Sequence, residues 1–354
     1  SSFGLEERTR GQEDGSMKHA FSILSGAAFL AMAPSLLAQD AFLGRWALTI
    51  PNGGAGWLGV EKKDGYYDAG ILWGGGSVVP VASVYFPSED TMVVTRVNDV
   101  KRRDANGKKV VRTHQFTDLV KAKVNGDVLS LTISRPKRDG SGVTEESFSG
   151  KRIAPLPPKP DLAKVKFADS QVLFRSESDL TKWELMNPDK KDNGWSVKDG
   201  VLMNRAAQEE GKPRKHYGNL QTKEKFEDFN LTLDVRVPKN GNSGLYLRGI
   251  YEIQVADTHD KPLDSHHMGG IYSRVAPSVM AEKPTGEWQT YDITLVDRHV
   301  TVILNGKKIH DNVPLEGCTG GALWSDETLP GPLYLQGDHT DVDYRNVVIR
   351  PVAK

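Results

Sequence analysis

Short alternating runs closed by Asx-Gly turns dominate this chain and restrict it to antiparallel β-structure. Residues 46–50, 81–86, 91–95 and 128–133 are rich in branched and aromatic side chains. Asp64-Gly65, Asn106-Gly107, Asn125-Gly126 and Asp139-Gly140 separate such runs. These dipeptides favour tight hairpins because both residues tolerate positive φ. No segment sustains the 3.6-residue period of an amphipathic helix. Glycine supplies 35 of 354 residues, above a usual share of ~7%, which fits a turn-rich, all-β protein.

The N-terminus reads as an address. Residues 1–16 are a polar upstream extension before Met17; Lys18 and an apolar stretch over 20–33 follow, then a cleavage-like Ala38-Gln39. This is the layout of a bacterial-type signal peptide, too short to span comfortably. The expectation is an exported protein, periplasmic or extracellular, beginning near Gln39, with no membrane span once the signal is removed. Its single cysteine, Cys318, allows no intrachain disulfide, so core packing must supply the stability.

Four prolines between 155 and 160 favour an extended, semi-rigid spacer. The expected organisation is therefore extension plus signal (1–38), a small β-barrel or sandwich (39–153), a Pro-rich linker (154–164) and a larger β domain (165–354). The run 42–46, Phe-Leu-Gly-Arg-Trp, is similar to the Gly-x-Trp start of lipocalin-like barrels. Trp46, Trp57 and Trp73 either line a barrel cavity or pack its core, and packing is the simpler account. The chain carries 46 basic and 46 acidic side chains, so it lacks the basic footprint of a nucleic-acid binder. Nothing in the pattern sets an oligomeric state.

The second domain contains the chemistry. In 229–237, Leu231, Leu233, Val235 and Val237 alternate with Thr232, Asp234 and Arg236. In 242–257 Leu245, Leu247, Tyr251, Ile253 and Val255 form an apolar face, while Tyr246, Arg248, Glu252 and Gln254 share the other. An aromatic ring, a guanidinium, a carboxylate and an amide at successive pleats suit a sugar. They suit a solvated sheet face equally well. Two further polar runs stand out. In 257–267, Asp257, His259 and His266 belong to a His/Asp-rich stretch with the residue types of a divalent-metal site but no closed ligand spacing, so a polar loop fits better. In 331–339, Leu333 and Leu335 alternate with Tyr334 and Gln336 and lead to Asp338-His339, a histidine placed to act as a general base. No GxSxG elbow, P-loop or HExxH is present.

Residues 242–258 (NSGLYLRGIYEIQVADT), 269–274 (GGIYSR), 286–311 and 331–351 (GPLYLQGDHTDVDYRNVVIRP) together resemble the 3-keto-disaccharide hydrolase family. The ordered set NSG-x-Y-x-RG, YE-x-Q and LQ-x-x-H carries the resemblance, over residues 165–354. The family's Phe-Asn-Gly-Lys opening is replaced here by Phe174-Arg-Ser-Glu177. The resemblance implies a concanavalin-A-like jelly-roll sandwich. It also implies cleavage of 3-keto-glycosides or 3-keto-disaccharides by C2 proton abstraction, elimination and hydration. On the matching positions, Glu252 and His339 supply base and acid in either order, and Arg248 stabilises charge. Tyr246, Gln254, Tyr272 and Gln336 orient hydroxyls, and Asp234 pairs with Arg248. A divalent metal is compatible with the family, with Asp257, His259, His266 and Asp338 as candidate ligands; no cofactor is certain. The partner is an oxidised saccharide. A non-catalytic carbohydrate-binding module is the alternative, because the same jelly roll serves lectins.

Overall fold

The computed structural model describes residues 39–208 and 211–353; the expected signal segment, 1–38, lies outside the described residues. Nine strands come first: β1 (Gly44–Thr49), β2 (Ala55–Lys63), β3 (Tyr66–Trp73), β4 (Val79–Pro80), β5 (Ser83–Ser88), β6 (Thr91–Arg103), β7 (Val110–Asn125), β8 (Val128–Pro136) and β9 (Val143–Arg152). Their order is β4-β3-β2-β1-β9-β8-β7-β6-β5, every ladder antiparallel. Val81 and Ala82 join the two ends of this path, donating to the carbonyls of Ala69 (3.0 Å) and Thr95 (2.8 Å). The segment 79–88 thus pairs with β3 at its start and with β6 beyond, and the sheet closes into a barrel. Closure removes the free edges that would otherwise template aggregation.

Side chains fill the barrel, among them Trp46, Leu48, Leu58, Ile71, Met92, Val94, Val120 and Leu131. Each fully buried aliphatic of this kind contributes about 1.5–3 kcal/mol. The three tryptophans do not line one cavity. Trp46 lies in the barrel core, with the Arg152 guanidinium 4.1 Å from its ring centroid. Trp73 packs edge-on against Phe148. Trp57 points outward and joins the core of the second domain, because alternation along β2 sends Leu58 and Val60 inward and Ala55 and Trp57 outward.

Two further sheets follow. One has the order β12-β13-β22-β15-β18-β19-β20, with β10 on β22, and is built from β10 (Gln171–Phe174), β12 (Trp195–Lys198), β13 (Val201–Asn204), β15 (Phe229–Arg236), β18 (Gln289–Val296), β19 (His299–Leu304), β20 (Lys307–Pro314) and β22 (Val342–Pro351). The other runs β11-β14-β21-β16-β17, from β11 (Trp183–Leu185), β14 (Leu220–Thr222), β16 (Asn242–Leu247), β17 (Tyr251–Ala256) and β21 (Tyr334–Leu335). Leu231, Leu233 and Val235 of the larger sheet share one core with Leu245, Leu247, Ile253 and Val255 of the smaller. This is the jelly-roll sandwich, and its alternation follows the expected parity.

Segment 154–164 forms no strand or helix, but it is anchored to the sandwich. Arg298 donates to the Ala154 carbonyl at 2.8 Å, and Asn312 to that of Pro160 at 2.7 Å. The barrel docks on the sandwich through Trp57 and through Ser325, whose hydroxyl accepts from Gly56 N–H and donates to the Leu48 carbonyl, both at 2.9 Å.

Candidate functional site

Residues 242–256 are a hairpin rather than one continuous strand. Arg248 and Gly249 both have positive φ, 54° and 69°, and Ile250 N–H closes the turn on the Leu247 carbonyl at 3.1 Å. Pairs of positive φ define the type I′ turn that suits strand twist. A turn of this length keeps facing partners of equal parity: Tyr246 lies opposite Glu252, and Gly244 opposite Gln254. Tyr334 of β21 pairs with Tyr246 on the other side. Tyr334, Tyr246 and Glu252 therefore stand in a row across three strands.

The row is tightly built. The two tyrosine rings stack at 3.8 Å with 15° between planes. Glu252 lies over Gly244, where a Cβ would come within 2.3 Å of Oε1, so any larger residue there would displace the carboxyl. The Tyr246 hydroxyl is 2.7 Å from both Glu252 Oε2 and the Gly320 carbonyl oxygen. A phenol has one proton, and a carbonyl oxygen can only accept. When Tyr246 donates to Gly320, Glu252 must be the protonated partner that donates to Tyr246. The electrostatics agree: burial pushes the Glu252 carboxyl up to about 8, against lowering by the Tyr246 hydrogen bond and by His339. Glu252 is thus a neutral acid at pH 7.

His339 lines the same cleft, with its side chain about half exposed, and its Nδ1 sits 2.6 Å from Asp338 Oδ1. The hydrogen bond to Asp338 raises its pKa, burial opposes this, and the charges of Asp338 and Glu252 add to the rise. Asn219, Asn242, Tyr272 and Gln336 complete the polar wall of a cleft of about 290 Å³. Backbone closes the remaining side: Gly320 and Gly321 of the sandwich, and Gly75 and Gly76 of the barrel. A Cβ on Gly320 would lie 2.0 Å from the Gly76 carbonyl oxygen, so the two domains meet backbone to backbone at this edge.

Of the expected site residues, Glu252, His339, Tyr246, Tyr272 and Gln336 converge on this cleft. Arg248 does not. Its place in the turn carries it away to donate to the carbonyls of Glu327 (2.7 Å) and Leu329 (2.7 and 3.2 Å), where it lines a different cavity. Asp234 does not pair with Arg248 either. It lies in the larger sheet and accepts from Thr290, Arg345 and Asn346 at 2.7, 3.0 and 2.9 Å. Gln254 lines the neighbouring cavity, which also touches Asn242 and Tyr272.

The candidate metal ligands are engaged separately. Asp257 accepts from Asn240 N–H and from the Thr285 hydroxyl. His259 sits against Asp260, His266 against Ser77, and Asp338 against His339. Among the described residues no three His, Cys, Asp or Glu side chains converge to hold a metal ion, so this donor set does not fit one. Asn219, Asn242, Tyr334 and the glycine edges were not anticipated. Asn242 and Tyr334 lie inside the quoted motifs, on the same parity as Tyr246 and Gln336. Asn219 and Gly75-Gly76 carry no local signal.

No curated protein matches the chain. A crystal structure of a candidate glycosyl hydrolase from Parabacteroides distasonis is 30% identical, with a TM-score of 0.44, over 57% of this chain and 94% of that one. Another from the same organism is 26% identical, with a TM-score of 0.38, over 52% and 100%. A carbohydrate-binding module from Bacillus subtilis is 15% identical, with a TM-score of 0.30, over 47% and 93%. The family described as the 3-keto-alpha-glucoside-1,2-lyase-like domain matches residues 169–350, from β10 almost to the end of β22. Residues 169–350 enclose the whole hairpin and the Asp338–His339 pair, and the chain belongs to this 3-keto-alpha-glucoside-1,2-lyase-like family.

Proposed function

We propose that this chain is an exported enzyme that cleaves glycosides oxidised at C3, with His339 as base and Glu252 as acid. The observation that carries this reading is a buried carboxyl and a carboxylate-held histidine facing one cleft. Family membership supports the 3-keto substrate, because a C3 ketone acidifies the C2 hydrogen.

The steps follow from the protonation states. Neutral His339 removes the C2 proton, and the freed electron pair forms an enediolate with the C3 oxygen. The amide groups of Asn219, Asn242 and Gln336 are the donors available for that developing charge. The C1–O bond then breaks, and the leaving oxygen takes the proton of Glu252. Water adds to C1 of the unsaturated product, giving a proton to the Glu252 carboxylate, while His339 returns its proton to C2. Both groups end as they began. A carboxylic acid near pKa 8 suits this role at neutral pH, where an ordinary glutamate would already be ionised.

A purely binding role is less well supported. Sugar-binding platforms use exposed aromatic faces, whereas Tyr246 and Tyr334 are both 1% exposed and stacked on each other. The test is product analysis with a 3-keto-disaccharide, with and without added divalent metal, using Glu252→Gln and His339→Ala. Release of the leaving sugar by the parent chain, lost in both variants, is expected. Full turnover in both variants removes the assignment. Saccharide binding without turnover by the parent supports the lectin-like alternative.

A further inference from the structure

Beside the cleft lies a second cavity of about 360 Å³, within the size range of small-molecule sites, about 300–1,000 Å³. The two adjoin, because Asn242 and Tyr272 line both. We propose that this adjoining cavity is a second sugar subsite, which holds the leaving saccharide of a disaccharide substrate with His267 as its buried anchor. The proposal rests on the catalytic reading only in naming its occupant as the group that departs from C1.

His267 carries the argument. It is 2% exposed, it lines this cavity, and neither ring nitrogen makes a hydrogen bond of full geometry, the Pro262 backbone carbonyl offering only a weak contact. Its nearest carboxylate oxygen, Glu282 Oε2, is 3.4 Å from Nε2, and Glu282 is already occupied by the Thr258 hydroxyl (2.7 Å) and backbone N–H (3.0 Å). A buried polar group left poorly paired is costly, so the site is built for something that arrives. A neutral imidazole offers one donor and one acceptor. A sugar hydroxyl both donates and accepts, so it satisfies such a ring at either nitrogen. The remaining lining includes Asn240, Gln254, Asp257 and Lys261, groups that bond hydroxyls and disfavour an aryl leaving group.

The barrel sets this subsite. Ser77 Oγ is 2.8 Å from His266 Nε2, and Val78 N–H donates to Ser273 Oγ at 2.7 Å. His266 in turn stands perpendicular to the Tyr272 ring at 4.9 Å. The first domain therefore clamps both ends of the loop that places His267 and Tyr272.

The test compares maltose with glucose binding by calorimetry on the full chain, then 3-keto-maltose with 3-keto-methyl-glucoside in turnover. Maltose should bind at least tenfold tighter than glucose. His267→Gln and Lys261→Ala should each cut that preference about three- to tenfold, as expected for one lost hydrogen bond. Ser77→Ala should reduce it through the loop, raising KM for 3-keto-maltose more than it lowers kcat. Equal binding of maltose and glucose, or an unchanged preference in both His267→Gln and Lys261→Ala, overturns the subsite. If maltose preference tracks His267 while 3-keto-maltose is not cleaved, the subsite stands and the catalytic reading falls. If 3-keto-methyl-glucoside is cleaved as efficiently as 3-keto-maltose, the catalytic reading stands and the subsite falls.

Discussion

The Tyr246 hydroxyl sits 2.7 Å from Glu252 Oε2 and equally close to the Gly320 carbonyl oxygen, so its single proton cannot serve both. Two consistent states follow. In one, Glu252 is protonated and donates to Tyr246, which donates to Gly320. In the other, Glu252 is ionised and takes the tyrosine proton, and the Gly320 oxygen loses its donor. Burial favours the first.

Glu252 should accordingly make the fold more stable in mild acid than at neutral pH. Its folded pKa, about 8, lies above the ordinary glutamate value of 4.5. The folded state binds the extra proton between those limits, so this contribution is full below about pH 4.5 and is lost as pH rises through 8. At pH 7 the carboxylate's burial in U-to-N terms amounts to a loss of about 3 kcal/mol relative to the acid limit. Glu252→Gln should remove that slope and raise Tm at pH 7, while lowering kcat about 10²–10⁴-fold. Thermal melts from pH 4.5 to 8 check it; parallel curves for parent and variant would contradict the buried acid.

Tyr246→Phe deletes the hydroxyl that holds the Glu252 proton in register. The Gly320 oxygen and the carboxyl then both lose a partner, at about 1–3 kcal/mol of stability. In the ionised state the Tyr246 hydroxyl donates to the carboxylate, and that bond lowers the Glu252 pKa, so without it the alkaline limb of kcat/KM should move to higher pH. An unmoved limb would place the titrating acid elsewhere.

Parity was legible in the chain because it is local. Tyr246, Glu252 and Gln336 were placed correctly by alternation, which survives a hairpin whose turn keeps opposed residues on one face. Arg248 was not, because the same alternation was carried through the turn. Arginine is a poor marker of positive φ, and only Gly249 hinted at the bend. The Gly74–Gly76 run carries no local sign of a domain contact. Its role depends on Gly320, some 240 residues away, and no local period reports such contacts. Asp234 showed the right face of its strand, but the choice between two sheets is set by long-range pairing that alternation does not encode.

Asp338→Asn tests the base. The Asp338 carboxylate is the main cause of the raised His339 pKa. Its removal should let that pKa fall, and the acid limb of kcat/KM should shift to lower pH. Rate at the optimum should drop as well, because a less basic imidazole is a poorer proton acceptor. An acid limb that stays in place would mean that another group accepts the C2 proton.

Ser325→Ala tests whether the barrel must be held for the site to work. The Ser325 hydroxyl bridges Gly56 N–H and the Leu48 carbonyl across the domain interface. Alanine leaves both barrel groups without this partner in a buried setting, at a cost of about 1–3 kcal/mol. Ser325 is not part of the cleft lining, so any catalytic effect must pass through docking. A loosened barrel withdraws the Gly75-Gly76 wall, and a loose wall exposes Glu252 to water. Better solvation lowers its pKa, so the variant should show an alkaline limb moved to lower pH together with weaker saccharide binding. A variant with lowered Tm but a parental pH profile would show that the barrel stabilises the chain without shaping the cleft.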